Sequence, residues 1–324
     1  MLSPGGRSNL STGQRVGRAA ASRIPTTMSP RVALGMPVYN GAEYVAAALD
    51  SLLAQTFRDF ELVISDNAST DATGSICREY EKRDPRIRYF RNHRNMGVAY
   101  NFRRVFELSH AEYFKWVVHD DLCEPTYVER CVEVLDASPP SVVLCYPKTI
   151  LIDEQGADIE PFEDRMDVPQ EMPHERLEYL HRHLRLCHCG LGLIRSDALR
   201  RTRLIDGFES SDVVMLEELA MLGRFREHPE ALYRRRIHGA SSFKAYVSAA
   251  EYAARMDPAK RGRLAMPRTT LFVESFRSIA RADIPPIERL RCAWVLLKSW
   301  GPRYWRVIGG EFKRLLRHLW QRLR

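Results

Sequence analysis

No apolar run in these 324 residues reaches the ~18–20 residues that a bilayer-crossing helix needs. Residues 1–30 contain no acid and lack the continuous apolar segment of a secretion signal. C-x-x-C pairs are absent as well. Seven cysteines are scattered, and Cys187-His188-Cys189, the one tight cluster, has no second half with which to build a zinc site. An odd number of unpatterned thiols suits a reducing compartment better than a disulfide framework. Internal repeats are missing too. What remains is a globular chain expected in the cytoplasm.

Apolar residues make up 45% and charged residues 28%, an ordinary globular balance. The net charge of +8 is unevenly placed. Four arginines give residues 1–30 a charge of +4, and residues 285–324 carry +8, which leaves −4 for residues 31–284. A mildly acidic body argues against nucleic acid as a partner, because that footprint is a basic face on the fold itself. Basic ends suit an anionic membrane surface, with a peripheral seat on its inner face. For residues 1–29 a solvated, disordered basic tail is the simpler reading, with Met28 as the start of the folded part.

Residues 31–36 form a first strand stopped by Pro37, and the turn at 38–41 offers Asn40 as acceptor for a helix amide. Apolar residues at 45, 48, 49, 52 and 53 predict an amphipathic helix over 43–54. Strands follow at 60–64 and 86–90, with a helix ending near 82, a loop at 92–97 and a helix at 98–108. A fourth apolar run, 114–118, stops abruptly at His119-Asp120-Asp121. This alternation predicts a doubly wound α/β fold on a mostly parallel sheet with right-handed crossovers. Beyond it, a helix is expected at 126–136, a strand at 142–146, a hairpin-like stretch at 150–159, a loop at 160–173, a helix at 175–186 and a Gly-marked strand at 190–194. Ser210-Ser211-Asp212 is expected to cap an apolar helix over 213–222, and strands at 224–227 and 231–237 flank a Pro229 turn. Residues 251–280 read as helix and Pro285-Pro286 as a break. Residues 303–324 read as an amphipathic basic helix that lies on a membrane or covers the protein's own core.

Adjacent carboxylates repel each other and are expensive to bury unpaired, so a cation or hydroxyls are expected beside Asp120 and Asp121. Capping of the helix after Pro125 is the plainer alternative. Three strand ends carry ligand-grade groups: Tyr39/Asn40, Asp66/Asn67 and Asp120/Asp121. In open α/β sheets the carboxyl ends of strands are where ligands bind.

In order and spacing, Met36-Pro-Val-Tyr-Asn40, Ser65-Asp-Asn-Ala-Ser-Thr-Asp71, Asn95-x-Gly97 and His119-Asp-Asp121 resemble the family-two glycosyltransferases of the GT-A fold. Ser211-Asp212 with Glu217-Glu218, and then Arg236-x-His238, resemble the second half of the pattern, so the likeness covers residues 31–243. It implies inverting, metal-dependent transfer from a nucleotide-sugar donor to a saccharide, lipid-linked or other hydroxyl acceptor, in surface polysaccharide or glycolipid synthesis. By this resemblance Pro37, Tyr39 and Asn40 line the base and ribose pocket with Glu43 nearby, Asp66 accepts from base or ribose, and Asn95 and Gly97 wall the base. Asp121 holds Mg2+ or Mn2+, and Asp120 holds the ribose or a metal-bound water. Asp212 is the general base, with Glu218 at the family's second acidic position. Arg236 suits a diphosphate oxygen, and His238 a metal or phosphate. His119 stands where the family has an acidic or small residue, and no role is assigned to it.

Plainer readings stand beside these: an Asx turn for Asp66, a loop turn for Asn95 and Gly97, a helix cap for Asp212, a solvated strand edge for 234–236. A nucleotidyltransferase is an alternative class, but it would need a Gly-rich basic loop where residues 37–41 have no lysine or arginine. A non-catalytic carbohydrate-binding protein on a transferase fold would predict a missing carboxylate, yet Asp66, Asp120, Asp121 and Asp212 are all present. The expected organisation is a basic tail over 1–29, a GT-A glycosyltransferase domain over 30–243 and a helical extension over 244–324.

Overall fold

The computed structural model describes residues 29–239 and 248–322. The expected tail with Met28, and the expected boundary between residues 243 and 244, lie outside the described residues.

The chain opens with β1 (Val32–Val38), buried along its whole length. Val32, Leu34, Met36 and Val38 enter one core cluster and Ala33 the other, as a strand covered on both faces requires. Then come α1 (Val45–Leu53), β2 (Phe60–Asp66), α2 (Thr73–Arg83), β3 (Ile87–Arg91), α3 (Val98–Glu107) and β4 (Tyr113–Trp116). In α1 the buried residues are Val45, Ala48, Leu49 and Leu52, the spacing of a one-sided helix. β2 and β4 both pair parallel to β1, with Val38 opposite Asp66 and Gly35 opposite Trp116. β3 pairs parallel to β2 on its outer side. The carboxyl ends of β1, β2 and β4 therefore emerge along one edge, as expected.

The second half of the sheet is mixed. It contains β5 (Leu122–Cys123), α4 (Tyr127–Asp136), β6 (Val142–Ile152), β7 (Asp158–Phe162), α5 (Pro173–His183), β8 (Leu193–Arg195), α6 (Ser196–Arg200), α7 (Ser211–Leu222) and β9 (Arg224–Arg236). Among the described residues nine strands form one sheet in the order β3-β2-β1-β4-β8-β6-β9-β5, with β7 beside β6. β8 runs antiparallel to β4 and β6, while β9 runs parallel to β6. The expected fold class holds.

Some boundaries differ for local reasons. Pro229 does not divide two strands: β9 runs through it, and register shifts near Pro147 and Lys148 of β6 absorb the irregularity. The loop expected at 160–173 begins as the end of β7, with Phe162 opposite Thr149. His188–Leu191 form a 3-10 turn before β8 rather than strand. There His188 is buried with Nδ1 3.0 Å from Asp164, and all seven cysteines are free thiols.

The expected helix over 251–280 is broken into α8 (Ala249–Met256), a 3-10 turn at Pro258–Lys260 and α9 (Pro267–Arg281). Both prolines sit at the start of their segments, where a missing N–H costs nothing. Pro286 likewise opens α10 (Pro286–Arg322), one helix of 37 residues. Its inner face supplies Cys292, Val295, Leu296 and Trp300 to a third core cluster, with Leu177 of α5, Val214 of α7 and Leu271 of α9. Within the expected amphipathic segment 303–324, Tyr304 and Ile308 pack against this cluster while Trp305, Phe312, Leu316 and Leu319 are exposed.

α8 docks on the start of α3 at Gly97, whose φ is +92° and whose added Cβ would lie 2.6 Å from the Met256 carbonyl oxygen. Gly97→Ala should therefore lower stability by about 2 kcal/mol, since such backbone geometry is nearly glycine-specific. Chemical denaturation measures it, and an unchanged midpoint would contradict this close approach.

Candidate active site

The turn after β1 is built by its neighbours. Asn40 takes the left-handed conformation, which asparagine tolerates. Its Oδ1 accepts from Thr70 N at 2.8 Å, and its own N–H donates to Ser69 Oγ at 2.9 Å. Asn40 thus ties β1 to the loop after β2, not to the start of α1 as expected. Gly41 N–H donates to Thr73 Oγ1 at 2.8 Å. A Cβ on Gly41 would meet His119 Cδ2 at 2.2 Å, so only glycine leaves room for that ring. The three motifs are interlocked.

Asp66 is a correction. It is fully buried and lies outside the cavity lining. Its oxygens accept from Ser69 N at 2.7 Å, Tyr89 Oη at 2.6 Å and Arg91 Nη1 at 2.6 Å. Burial alone would raise its pKa, but the Tyr89 and Ser69 hydrogen bonds and the Arg91 charge together hold it below the usual carboxylate range. With its acceptors so committed, it is the Asx-turn anchor of the loop. Its neighbour Asn67 does line the cavity, donating to Asn95 Oδ1 at 3.0 Å and to the Gly97 carbonyl at 3.2 Å. Asn95 reaches the cavity as expected. Gly97 does not line it and acts from behind.

Asp121 lines the cavity, and its carboxylate accepts from the Tyr233 hydroxyl and from Arg236 N at 2.8 Å. Burial, with the adjacent Asp120 charge, pushes its pKa up to about 6. Beside it on the lining is Asp120, whose Oδ2 lies 3.0 Å from His238 Nε2. Burial opposes ionisation of Asp120, but the charges of His119 and His238 hold its pKa below the ordinary value.

Arg236 is the second correction. Its side chain is buried, donating to the carbonyl oxygens of Asp120 at 2.9 Å, Asp153 at 3.0 Å and Glu154 at 2.8 Å. Strand alternation places Arg235 on the other side, and Arg235 lines the cavity. Tyr44, absent from the sequence expectations, packs 4.8 Å from the Arg236 guanidinium and 5.1 Å from the His238 ring.

Asp212 stands in the first turn of α7 and lines the same cavity. It does not cap the helix: Ser210 occupies the cap with a left-handed backbone, and Asp212 Oδ1 accepts only from the adjacent Val213 N among backbone amides, at 3.0 Å. Glu218 is the third correction. α7 is buried on nearly every side, so its acids need internal partners. Glu218 accepts from Arg203 N at 2.8 Å and Nε at 3.0 Å, while Glu217 lies 3.0 Å from His181. Neither glutamate reaches the cavity.

The cavity measures about 1820 Å³ and joins Pro37, Tyr39, Asn40, Glu43, Asn95, Asp120, Asp121, Asp212 and His238 of the expected residues. α8, α9 and α10 close it with Tyr252, Arg255, Arg268 and Arg314 among others. Those contributors were illegible beforehand, since nothing in residues 249–314 carries a motif.

A family model described as glycosyl transferase family 2 matches residues 34–201. The chain belongs to glycosyl transferase family 2. An uncharacterized glycosyltransferase of Rickettsia typhi, RT0329, is 34% identical over 130 residues, and the match spans 40% of this chain and 40% of that one. The S. aureus TarS fragment 1–349 in complex with UDP-GlcNAc superposes with a TM-score of 0.61 at 16% identity, covering 84% of this chain and 73% of that one. A mannosyltransferase of Pyrobaculum calidifontis, PcManGT, in complex with GDP-Man and Mn2+, superposes with a TM-score of 0.52 at 17% identity, covering 85% and 70%. These likenesses show the GT-A fold. The family-2 match ends before Asp212, Arg235 and His238, so half of the cavity lies beyond it.

Asp66→Asn should destabilise the family-2 fold by about 2–3 kcal/mol, because the new amide would face the Tyr89 and Arg91 donors in a buried site. Thermal unfolding reads this, and wild-type stability would return Asp66 to the candidate ligands.

Proposed function

We propose that the chain transfers a sugar from a nucleotide-sugar donor to a hydroxyl acceptor, with inversion at the anomeric carbon. The carrying observation is one cavity that joins the Asp120–His238 pair with Asp212. Pro37, Tyr39, Asn40 and Glu43, with Asn67 and Asn95, offer a flat ring and polar edges for a base and ribose. Arg235, and Arg255 of α8, take the diphosphate role once expected of Arg236; both line the cavity, and the charge of each acts on Asp120.

The donor set at Asp120 and His238 fits a divalent cation. Oxygen and nitrogen 3.0 Å apart match adjacent positions around an ion with bonds of about 2.1 Å. Among the described residues no group of three His, Cys, Asp or Glu is placed to hold a metal, so phosphate oxygens and water would complete the shell. Mg2+ or Mn2+ bound there would neutralise charge on the departing diphosphate. The Mn2+ in PcManGT supports this reading.

Asp212 has acceptor capacity beyond Val213, since an ionised carboxylate offers about four acceptor positions. The acceptor oxygen attacks the anomeric carbon while its proton passes to Asp212. The bond to the donor phosphate oxygen breaks, and the nucleoside diphosphate leaves with that electron pair.

No helix among the described residues is long and apolar enough to cross a membrane. The outer face of α10 instead exposes Ile287, Leu290, Trp294, Leu297, Trp305, Phe312, Leu316 and Leu319 at helical spacing. Arg291, Lys298, Lys313 and Arg317 accompany them. This stripe supports a peripheral seat on the inner face of an anionic membrane, in surface polysaccharide or glycolipid synthesis.

Two experiments test these assignments. Asp212→Asn should bind UDP or GDP sugars normally and lose transfer about 10²–10⁴-fold, whereas Asp120→Ala should lose the Mn2+-dependent gain in nucleotide affinity. Collapse of donor affinity in Asp212→Asn would make that residue structural, and a retained Mn2+ response in Asp120→Ala would move the ion elsewhere. Leu290→Ser, Trp294→Ser and Phe312→Ser combined should abolish sedimentation with phosphatidylglycerol vesicles without lowering Tm. Undiminished sedimentation would sink the membrane seat.

A further inference from the structure

Beyond the donor chemistry, the cavity says something about the acceptor, provided the transferase reading holds. Arg185, Arg261 and Arg314 line the cavity that also holds Asp212, from three separate segments. Arg185 precedes Cys187, which lines the cavity too, by two residues. Arg261 follows the Pro258–Lys260 turn, which is pinned where Lys260 Nζ donates to the Gly207 carbonyl at 2.5 Å. Arg314 lies three residues after Glu311 on α10, which places the two on one side of the helix. Glu311 fixes α10 against α9 by accepting from Thr269 N at 2.9 Å and Thr269 Oγ1 at 2.6 Å.

Three glutamates of the same lining are largely occupied. Glu311 is buried in those bonds, and Glu209 lies 3.9 Å from Arg268. Glu251 sits in the first turn of α8, at its positive end. Among the described residues no ion pair or side-chain hydrogen bond occupies the guanidinium groups of Arg185, Arg261 or Arg314. Three like charges lining one cavity repel each other and focus a positive field into it. The guanidinium fork matches an oxyanion better than any neutral group.

We propose that the acceptor is anionic, and that Arg185, Arg261 and Arg314 hold a phosphate or carboxylate near the hydroxyl that Asp212 deprotonates. That oxyanion could belong to a phosphate polymer, an acidic saccharide or a lipid phosphate, and separate probes distinguish them.

The test uses the full chain with UDP or GDP and Mn2+, titrated calorimetrically with glycerol phosphate hexamer, hyaluronan hexasaccharide, farnesyl phosphate and neutral maltohexaose. At least one anionic probe should bind about tenfold tighter than maltohexaose, and Arg185→Ala with Arg261→Ala should erase that preference. Nucleotide affinity and Tm should stay at wild-type values in that variant, and the paired lysine substitutions should restore part of the preference. Lys298→Ala, on the outer side of α10, should leave the preference intact. No anionic preference in the wild type, or one that survives the double alanine variant, overturns the proposal. Failure to bind either nucleotide would instead overturn the donor reading, and with it this one.

Discussion

The buried carboxylate of Asp121 is the constraint on which the site depends. It sits where the chain leaves β4 and is gripped from β9 by the Tyr233 hydroxyl and the Arg236 amide. Breaking such a buried hydrogen-bonded charge typically costs about 3–5 kcal/mol, so this contact fixes how the loop meets β9. Below it, the fully buried Lys115 ammonium lies 4.1 Å from the Tyr127 ring and 5.3 Å from the Tyr233 ring, and donates to the Leu191 carbonyl. Lys115 steadies the tyrosine that holds Asp121. Its own positive charge is disfavoured by burial and supported by Asp121.

With Asp121 held by β9, the surrounding roles follow. Asp120, the next residue back, meets His238. Arg236, whose amide is taken by Asp121, swings its guanidinium over the carbonyl oxygens of Asp120, Asp153 and Glu154 and seals the loop from behind. Arg235 is left on the cavity side. A single buried anion thereby separates a structural arginine from a cavity-lining one.

That sorting shows where sequence reading succeeds and where it stops. The ends of β1, β2 and β4 were legible because apolar runs stop sharply in polar groups, and parallel pairing must bring such ends to one edge. Which member of Arg235/Arg236 faces inward was not legible, since alternation gives opposite faces without naming them. Asp66 and Glu218 misled for a related reason. A carboxylate in a motif looks the same whether it greets a ligand or neutralises Arg91 or Arg203 inside the protein. Only the partner decides, and the partners lie 25 and 15 residues away.

The last helix carries this logic to the scale of the whole molecule. Its buried residues complete a core with α5, α7 and α9, so it cannot rotate freely to suit a partner. Val307, Glu311 and Arg314 repeat at the spacing of one helix face and line the cavity, while Trp305, Phe312 and Leu316 fall on the other side. A surface beneath that outer stripe would therefore meet the cavity only around the helix, across roughly the 10–12 Å of a helix diameter. An acceptor held at such a surface would need a polar segment long enough to span that distance before its hydroxyl met Asp212. The arginines that line the cavity with Asp212 would give an anionic segment of that kind a place to rest on the way.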